Sequence, residues 1–329
     1  MASYDLKNNF ENLPPPGPSA IRFPEISIYE AGKKISFLPS SSSQPAFEAA
    51  GKISCMSQKD YLERAGKLLE HIKRGDIYEV NFCLHFEVKG KMENLFSLFS
   101  LLCEKNKSPY SFLFRDGSRW IFSTSPERFI KKVGTGIFSQ PMKGTIARSD
   151  NPEEDFRLKE SLRNSLKDQT ENVMIVDIVR NDLSAICKRN SVKVDELFGI
   201  QSFGTVHQMV STVSGDLKEG IGIEKIFRHT FPMASMTGAP KIRAMELIHQ
   251  YETHARSVFS GCSGFIAENG DFDFSVNIRS LFYDETTGVA TFSAGSALTA
   301  ACNPEEEYAE CLLKARPIME VLGVTLPDA

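Results

Sequence analysis

The chain has 329 residues, 41% of them hydrophobic and 24% charged, which is enough to bury a large core as one big or two ordinary globular domains. A formal net charge of -4 leaves no basic footprint for nucleic acid or an anionic membrane surface. No run of roughly 18 apolar residues predicts a membrane span, and the first residues lack the basic-then-apolar order of a signal peptide. The seven cysteines are odd in number, scattered and never spaced CxxC, which predicts reduced thiols in a cytoplasmic compartment rather than a disulfide framework or a zinc site.

The first fifty residues differ from the rest. Pro14-Pro15-Pro16-Gly17-Pro18 and Pro39-Ser40-Ser41-Ser42-Ser43 flank one short candidate strand at 26–29, so residues 1–50 read as a loose, partly irregular arm and 51–329 as the catalytic domain. Tyr61, Leu62, Leu68, Leu69 and Ile72 recur at helical spacing, and Arg74-Gly75 ends that helix. A strand-like run follows at 77–88. Further strands or hairpins are predicted at 120–133, 137–146, 191–213, 259–267, 272–283 and 289–297, with turns at Asn269-Gly270 and Thr287-Gly288. Helices are predicted at 152–176, 221–231, 240–250 and 304–322, the first and last opening with proline and acidic residues. Hairpins with interspersed helices and no Gly-rich strand-to-helix loop indicate an α+β fold.

Several polar residues interrupt this apolar pattern. Lys143, in Pro141-Met142-Lys143-Gly144-Thr145, has a stiffened backbone before it and a free one after it; it is either a positioned amine, nucleophilic once deprotonated, or a surface lysine in a turn. Asp168 and Glu171 are three residues apart on one predicted helix, as are Glu307 and Glu310 on another, with Lys314 four further on. Oxygen ligands from two helices suit Mg²⁺, and exposed charged faces carry the same spacing. Glu127, in Ser125-Pro126-Glu127-Arg128, is a candidate acid if buried, or an ion-pair partner of Arg128. His207 lies on an alternating strand as either a core histidine or a substrate contact, and Arg279 interrupts another strand, where a buried guanidinium needs an anion.

Six ordered blocks give these residues a common context. Ser125-Pro126-Glu127-Arg128-Phe129, Pro141 to Thr145, Glu171-Asn172-Val173-Met174-Ile175-Val176-Asp177 with Arg180-Asn181-Asp182, Val206-His207, Thr237-Gly238-Ala239-Pro240-Lys241 with Arg243-Ala244-Met245-Glu246, and Ser293-Ala294-Gly295 followed by Glu307, Glu310 and Lys314 resemble the signature blocks of the chorismate-utilising enzymes. The resemblance covers residues 57–322. It implies two antiparallel sheets packed face to face with helices outside, and chorismate as substrate. Lys143 is similar to the lysine of the aminodeoxychorismate synthase branch, where anthranilate synthases usually have alanine. Glu79 stands where the isochorismate and salicylate branches carry a lysine.

The resemblance further implies residue roles. Lys143 is the nucleophile towards C2 of chorismate and Glu127 the acid that protonates the departing C4 hydroxyl. Mg²⁺ is held mainly by Glu171 and Glu310, with Asp168 and Glu307 orienting its waters. Arg279, Lys314 and the backbone around Gly295 clamp the substrate carboxylates, Gly144 and Thr145 line the ring pocket, and His207 lies near the ring. Ammonia comes from a glutamine amidotransferase subunit. Phe259 and Ser296-Ala297-Leu298 depart from the family pattern.

Overall fold

The computed structural model describes residues 1–11, 13–15, 17–30, 47–204 and 206–326. Pro16, the Pro39 to Ser43 segment and Thr205 lie outside the described residues. Along the chain come a 3-10 turn at Tyr4–Leu6, α1 Lys7–Phe10, β1 Phe47–Ala49, β2 Ser54–Cys55, α2 Gln58–Lys73, β3 Glu79–Met92, α3 Leu95–Asn106, β4 Tyr110–Asp116 and β5 Arg119–Ser125. There follow β6 Arg128–Val133, β7 Gly136–Ser139, β8 Met142–Ala147, α4 Pro152–Arg163, α5 Leu166–Ile186, β9 Lys193–Phe203, β10 Val206–Asp216 and α6 Ile223–Thr230. A second 3-10 turn at Ala234–Met236 leads into β11 Gly238–Ala239, α7 Lys241–Tyr251, β12 Cys262–Ile266, β13 Phe272–Val276, β14 Ser280–Asp284, β15 Val289–Thr299 and α8 Pro304–Leu322.

The strands form two antiparallel sheets. One runs β1-β3-β15-β14-β5-β4, with β2 and β11 also on β3; the other runs β12-β13-β6-β7-β10-β8, with β9 on β10. The α+β expectation and the two-sheet architecture both hold. Strand alternation divides the core in two. On β5, Phe122 joins Phe82, Phe86 and Phe292 under Tyr61 and Leu68 of α2 and Ile318 of α8. Its neighbour Ile121 faces the other way, into a cluster with Phe282, with Ile130 and Phe274 of the second sheet, and with Ile175 and Leu183 of α5.

Four predicted strand or hairpin runs prove to be two strands each, 191–213 as the hairpin of β9 and β10. The 120–133 run breaks at Pro126-Glu127, so β5 belongs to the first sheet and β6 to the second; 272–283 breaks at Asn277 to Arg279 in the same way between β13 and β14. The two crossings are tied together, Val276 N–H donating to Glu127 O at 3.1 Å and Thr124 N–H to Arg279 O at 3.2 Å. Glu127 and Arg279 thus stand at the corner where the sheets exchange strands. The third break, at Pro141, separates β7 from β8, because proline has no N–H to donate to a ladder. The predicted 152–176 helix likewise divides, since the Ser165 side chain accepts from Asp168 N–H and starts α5 afresh.

The beginning of the arm is not loose. Ala2 exchanges backbone hydrogen bonds with Cys262 at 2.8 and 2.9 Å, and Ala2, Leu6, Ile21 and Phe23 are buried in the second core. Main-chain pairing by so short a stretch leaves no periodic signal. The 304–322 helix is α8 as predicted, capped by Asn303 and closed by Gly323 at φ 65°.

Candidate active site

Lys143 is placed by its neighbours. Gly144 has φ +83°, and a Cβ there would lie 2.8 Å from the Asp168 carboxyl carbon, so only glycine lets β8 pass the first turn of α5. Asp168 is the wall against which that glycine packs. With the backbone so fixed, Lys143 turns inward, its side chain 10% exposed, and Nζ donates to Glu79 Oε1 at 2.6 Å, with Glu171 Oε2 at 3.9 Å. Burial works to depress the ammonium, but the Glu79 and Glu171 carboxylates outweigh it and hold Lys143 above the ordinary lysine value. The lysine therefore rests as a cation.

Glu79 comes from the first residue of β3, where it pairs with Thr299 of β15 on one side and Ala239 of β11 on the other. Gly238 allows that approach, since a Cβ on it would lie 2.1 Å from Glu79 O. The Thr237 to Lys241 block is thereby a brace for Glu79. Its Lys241 reaches across to Asp182 of α5 at 2.6 Å, joining two of the sequence blocks by one ion pair.

The other carboxylates surround this pair. Glu127, 5% exposed at the sheet corner, accepts from Ser235 Oγ at 2.7 Å. Burial raises its carboxyl to about 7, against the opposing pull of Ser235, Lys143 and Lys314. Glu171 is raised to about 7, again chiefly by burial. Burial also works to raise Glu310, but Lys314 Nζ at 2.5 Å, together with Lys143 and Lys167, holds it below its usual range. Glu307 is 2% exposed and accepts from Lys167 Nζ at 3.1 Å.

Arg279 has the left-handed φ of 51°, uncommon for a residue with a side chain. Its guanidinium donates to Lys314 O at 2.9 Å, and no carboxylate ion-pairs with it among the described residues. Burial pulls it down to about 10. A half-buried guanidinium with unused donors is a receptor for an anion. Lys314 Nζ also donates to Gly295 O at 2.9 Å, and Gly295 itself is required by packing, since a Cβ there would lie 2.4 Å from Asn81 Oδ1.

Two predicted residues stand apart from this cluster. His207 is buried, but its Nδ1 is engaged with Ser202 Oγ at 2.8 Å and its Nε2 with Asp155 Oδ1 at 3.0 Å. Thr145 is exposed on β8, opposite Gln208 of β10. Phe259, an aromatic departure from the family pattern, is 2% exposed in the second core. The roles of Ser235 as the partner of Glu127 and of Glu79 as the partner of Lys143 escape a reading of the sequence; an acid at the head of a strand whose first half is mostly apolar was the available signal.

Among the described residues no three His, Cys, Asp or Glu side chains are gathered closely enough to hold a metal ion between them. The donor set nevertheless fits Mg²⁺. Glu171 and Glu310 offer oxygen alone, from two helices, and Glu171 is a carboxylate whose burial its protein neighbours do not fully offset. A hard ion that takes one or two carboxylates and completes its shell with water and substrate oxygens matches that arrangement.

Residues 24–320 match the family of chorismate binding enzymes. The chain is 40% identical over 265 residues to the chloroplastic aminodeoxychorismate synthase of Arabidopsis thaliana, covering 79% of this chain and 28% of that protein. It is 33% identical over 346 residues to aminodeoxychorismate synthase component 1 of Salmonella typhimurium, covering 98% of this chain and 76% of that one. The crystal structure of anthranilate synthase component I from Streptococcus pneumoniae superposes with a TM-score of 0.73 at 25% identity, over 82% of this chain and 60% of that chain. The chain thus spans well under half the length of the plant relative.

Proposed function

Because the chain belongs to the family of chorismate binding enzymes, we propose that it is component I of an aminodeoxychorismate synthase, converting chorismate and ammonia to 4-amino-4-deoxychorismate. The observation that carries this reading is the buried Lys143 amine, set among Glu79, Glu171 and the raised acid Glu127. A surface lysine in a turn would be solvated and unpaired.

Arg279 and Lys314 receive the two carboxylates of chorismate, the first through guanidinium donors left free by its single bond to Lys314 O. Glu171 and Glu310 would hold Mg²⁺, with Asp168 and Glu307 behind them. When bound, the ion supplies Lewis-acid polarisation of the ring carboxylate. Glu127 carries a proton near neutral pH, and Ser235 fixes its carboxyl in place. Lys143, after giving to Glu79 the proton they share, attacks C2; both ring double bonds shift, towards C1-C6 and C4-C5, and the C4 hydroxyl departs as water with the Glu127 proton. Ammonia then adds at C4, and the bond from C2 to Lys143 breaks. Two allylic displacements place nitrogen at C4, whereas direct entry at C2 leads towards anthranilate.

Incubating the protein with chorismate, ammonium and Mg²⁺ and identifying the product by mass spectrometry and NMR tests the reading. 4-Amino-4-deoxychorismate is expected. Anthranilate as the main product would assign the chain to the other amine-transferring branch.

A further inference from the structure

Glu79 is 1% exposed, and its two carboxylate oxygens are not equivalent. Oε1 accepts the Lys143 ammonium at 2.6 Å, while Oε2 is buried and has no hydrogen-bond partner among the described residues. Leaving a buried carboxylate oxygen unsatisfied is costly, and a carboxylate has lone pairs for a second donor. The backbone beneath it is held on both flanks, by Thr299 of β15 and by Ala239 of β11, so the oxygen cannot easily turn away to find one. The donor it lacks must be small and preferably cationic, because a second carboxylate, Glu171, lies 3.9 Å from the same Lys143 nitrogen.

We propose that Glu79 is the ammonium-binding site of this protein, holding the incoming nitrogen on Oε2 beside the lysine nitrogen on Oε1. The inference rests on ammonia being the co-substrate. Because Lys143 attacks as a neutral amine, the C2 adduct forms as a secondary ammonium that can leave as a neutral amine, and the proton Glu79 took from Lys143 replaces the one Glu127 gave to the departing water. Glu79, a carboxylate again, then takes on Oε2 the one proton that the ammonium must lose to react, and returns it through Oε1 to the lysine amine once that amine is free. The nitrogen then bonds to C4, the bond from C2 to Lys143 breaks as the double bonds return, and lysine departs as a neutral amine while the product carries an ammonium group. One proton and one electron pair are thus accounted for at each nitrogen.

The test uses Glu79→Gln, which keeps the shape and removes the charge, with Glu79→Asp as a second variant that keeps the charge and withdraws the oxygens. Protein is mixed with chorismate and Mg²⁺ without ammonia, and the peptide containing Lys143 is examined by mass spectrometry for the chorismate-derived increment; ammonium chloride is then titrated in. Both variants are expected to form the adduct more slowly than the parent, since Glu79 also takes the Lys143 proton, and, once the adduct has formed, to need at least tenfold more ammonium than the parent for half-maximal discharge. An unchanged ammonium requirement in both variants overturns the assignment. Failure of both to form the adduct, with chorismate still bound at the parental affinity, also overturns it, by confining Glu79 to service of Lys143. Absence of any adduct and any amino product in the parent would instead count against the aminodeoxychorismate reading, so the two failures are distinguishable.

Discussion

At the scale of single residues the site is governed by burial. Glu127 is lifted to about 7 mainly by desolvation, so it keeps its proton where an ordinary glutamate has lost it. A group whose folded value lies above its unfolded one contributes stability that is fully present below about 4.5 and lost as pH rises through about 7. Glu127→Gln removes that loss. Its unfolding free energy is expected to gain on the parent by as much as about 2.5 kcal/mol between pH 5 and pH 8, measured by urea denaturation at both values. The same variant should lose most of its turnover, together with the fall in kcat/KM that the parent shows as pH rises above about 7. Equal pH dependence of stability in parent and variant would show that the carboxyl is not held protonated by its surroundings.

At the scale of elements, the lysine is aimed by a glycine. Gly144→Ala puts a Cβ 2.8 Å from the Asp168 carboxyl carbon at φ +83°, and the change is expected to cost about 1–3 kcal/mol of stability. Turnover should fall more than tenfold even where the protein is fully folded, because displacing β8 from α5 moves the amine relative to Glu171. Full activity in a folded Gly144→Ala protein would mean that Lys143 is not positioned by this turn. Elements with strong local signals were legible beforehand: α2 and α8 announce themselves by apolar spacing and capping residues. The strand that crosses between sheets was not. Trp120 to Val133 reads as two apolar runs around the polar Ser123 to Arg128 turn, and nothing in its periodicity says that Pro126-Glu127 hands the chain from one sheet to the other. Helix α3 and strand β4 also went unread, since Leu95 to Asn106 is apolar with little facial contrast.

At the scale of the whole molecule, the proposed chemistry lies where three parts of the fold meet: the sheet corner with Glu127 and Arg279, the strands β3 and β8, one from each sheet, with Glu79 and Lys143, and the helices α5 and α8 with Glu171 and Glu310. The identities of most of these residues were readable from ordered motifs, whereas their convergence depends on contacts between positions as far apart as 79 and 143, which no local pattern encodes. The proposed reaction needs two supplies from outside the chain. Chelation should abolish turnover, with recovery on adding Mg²⁺, and glutamine should support product only in the presence of a separate amidotransferase, whereas ammonium supports it alone. Undiminished activity in chelator would remove the metal from the account.

The central claim is that Lys143 is a covalent nucleophile that directs nitrogen to C4. It is tested most directly by comparing the products that the parent and Lys143→Ala form from chorismate, ammonium and Mg²⁺. The parent should yield 4-amino-4-deoxychorismate, and the variant none of it, any residual product being aminated at C2. Parental levels of the 4-amino product from Lys143→Ala would contradict the covalent route and with it the reason for placing this chain among the aminodeoxychorismate synthases.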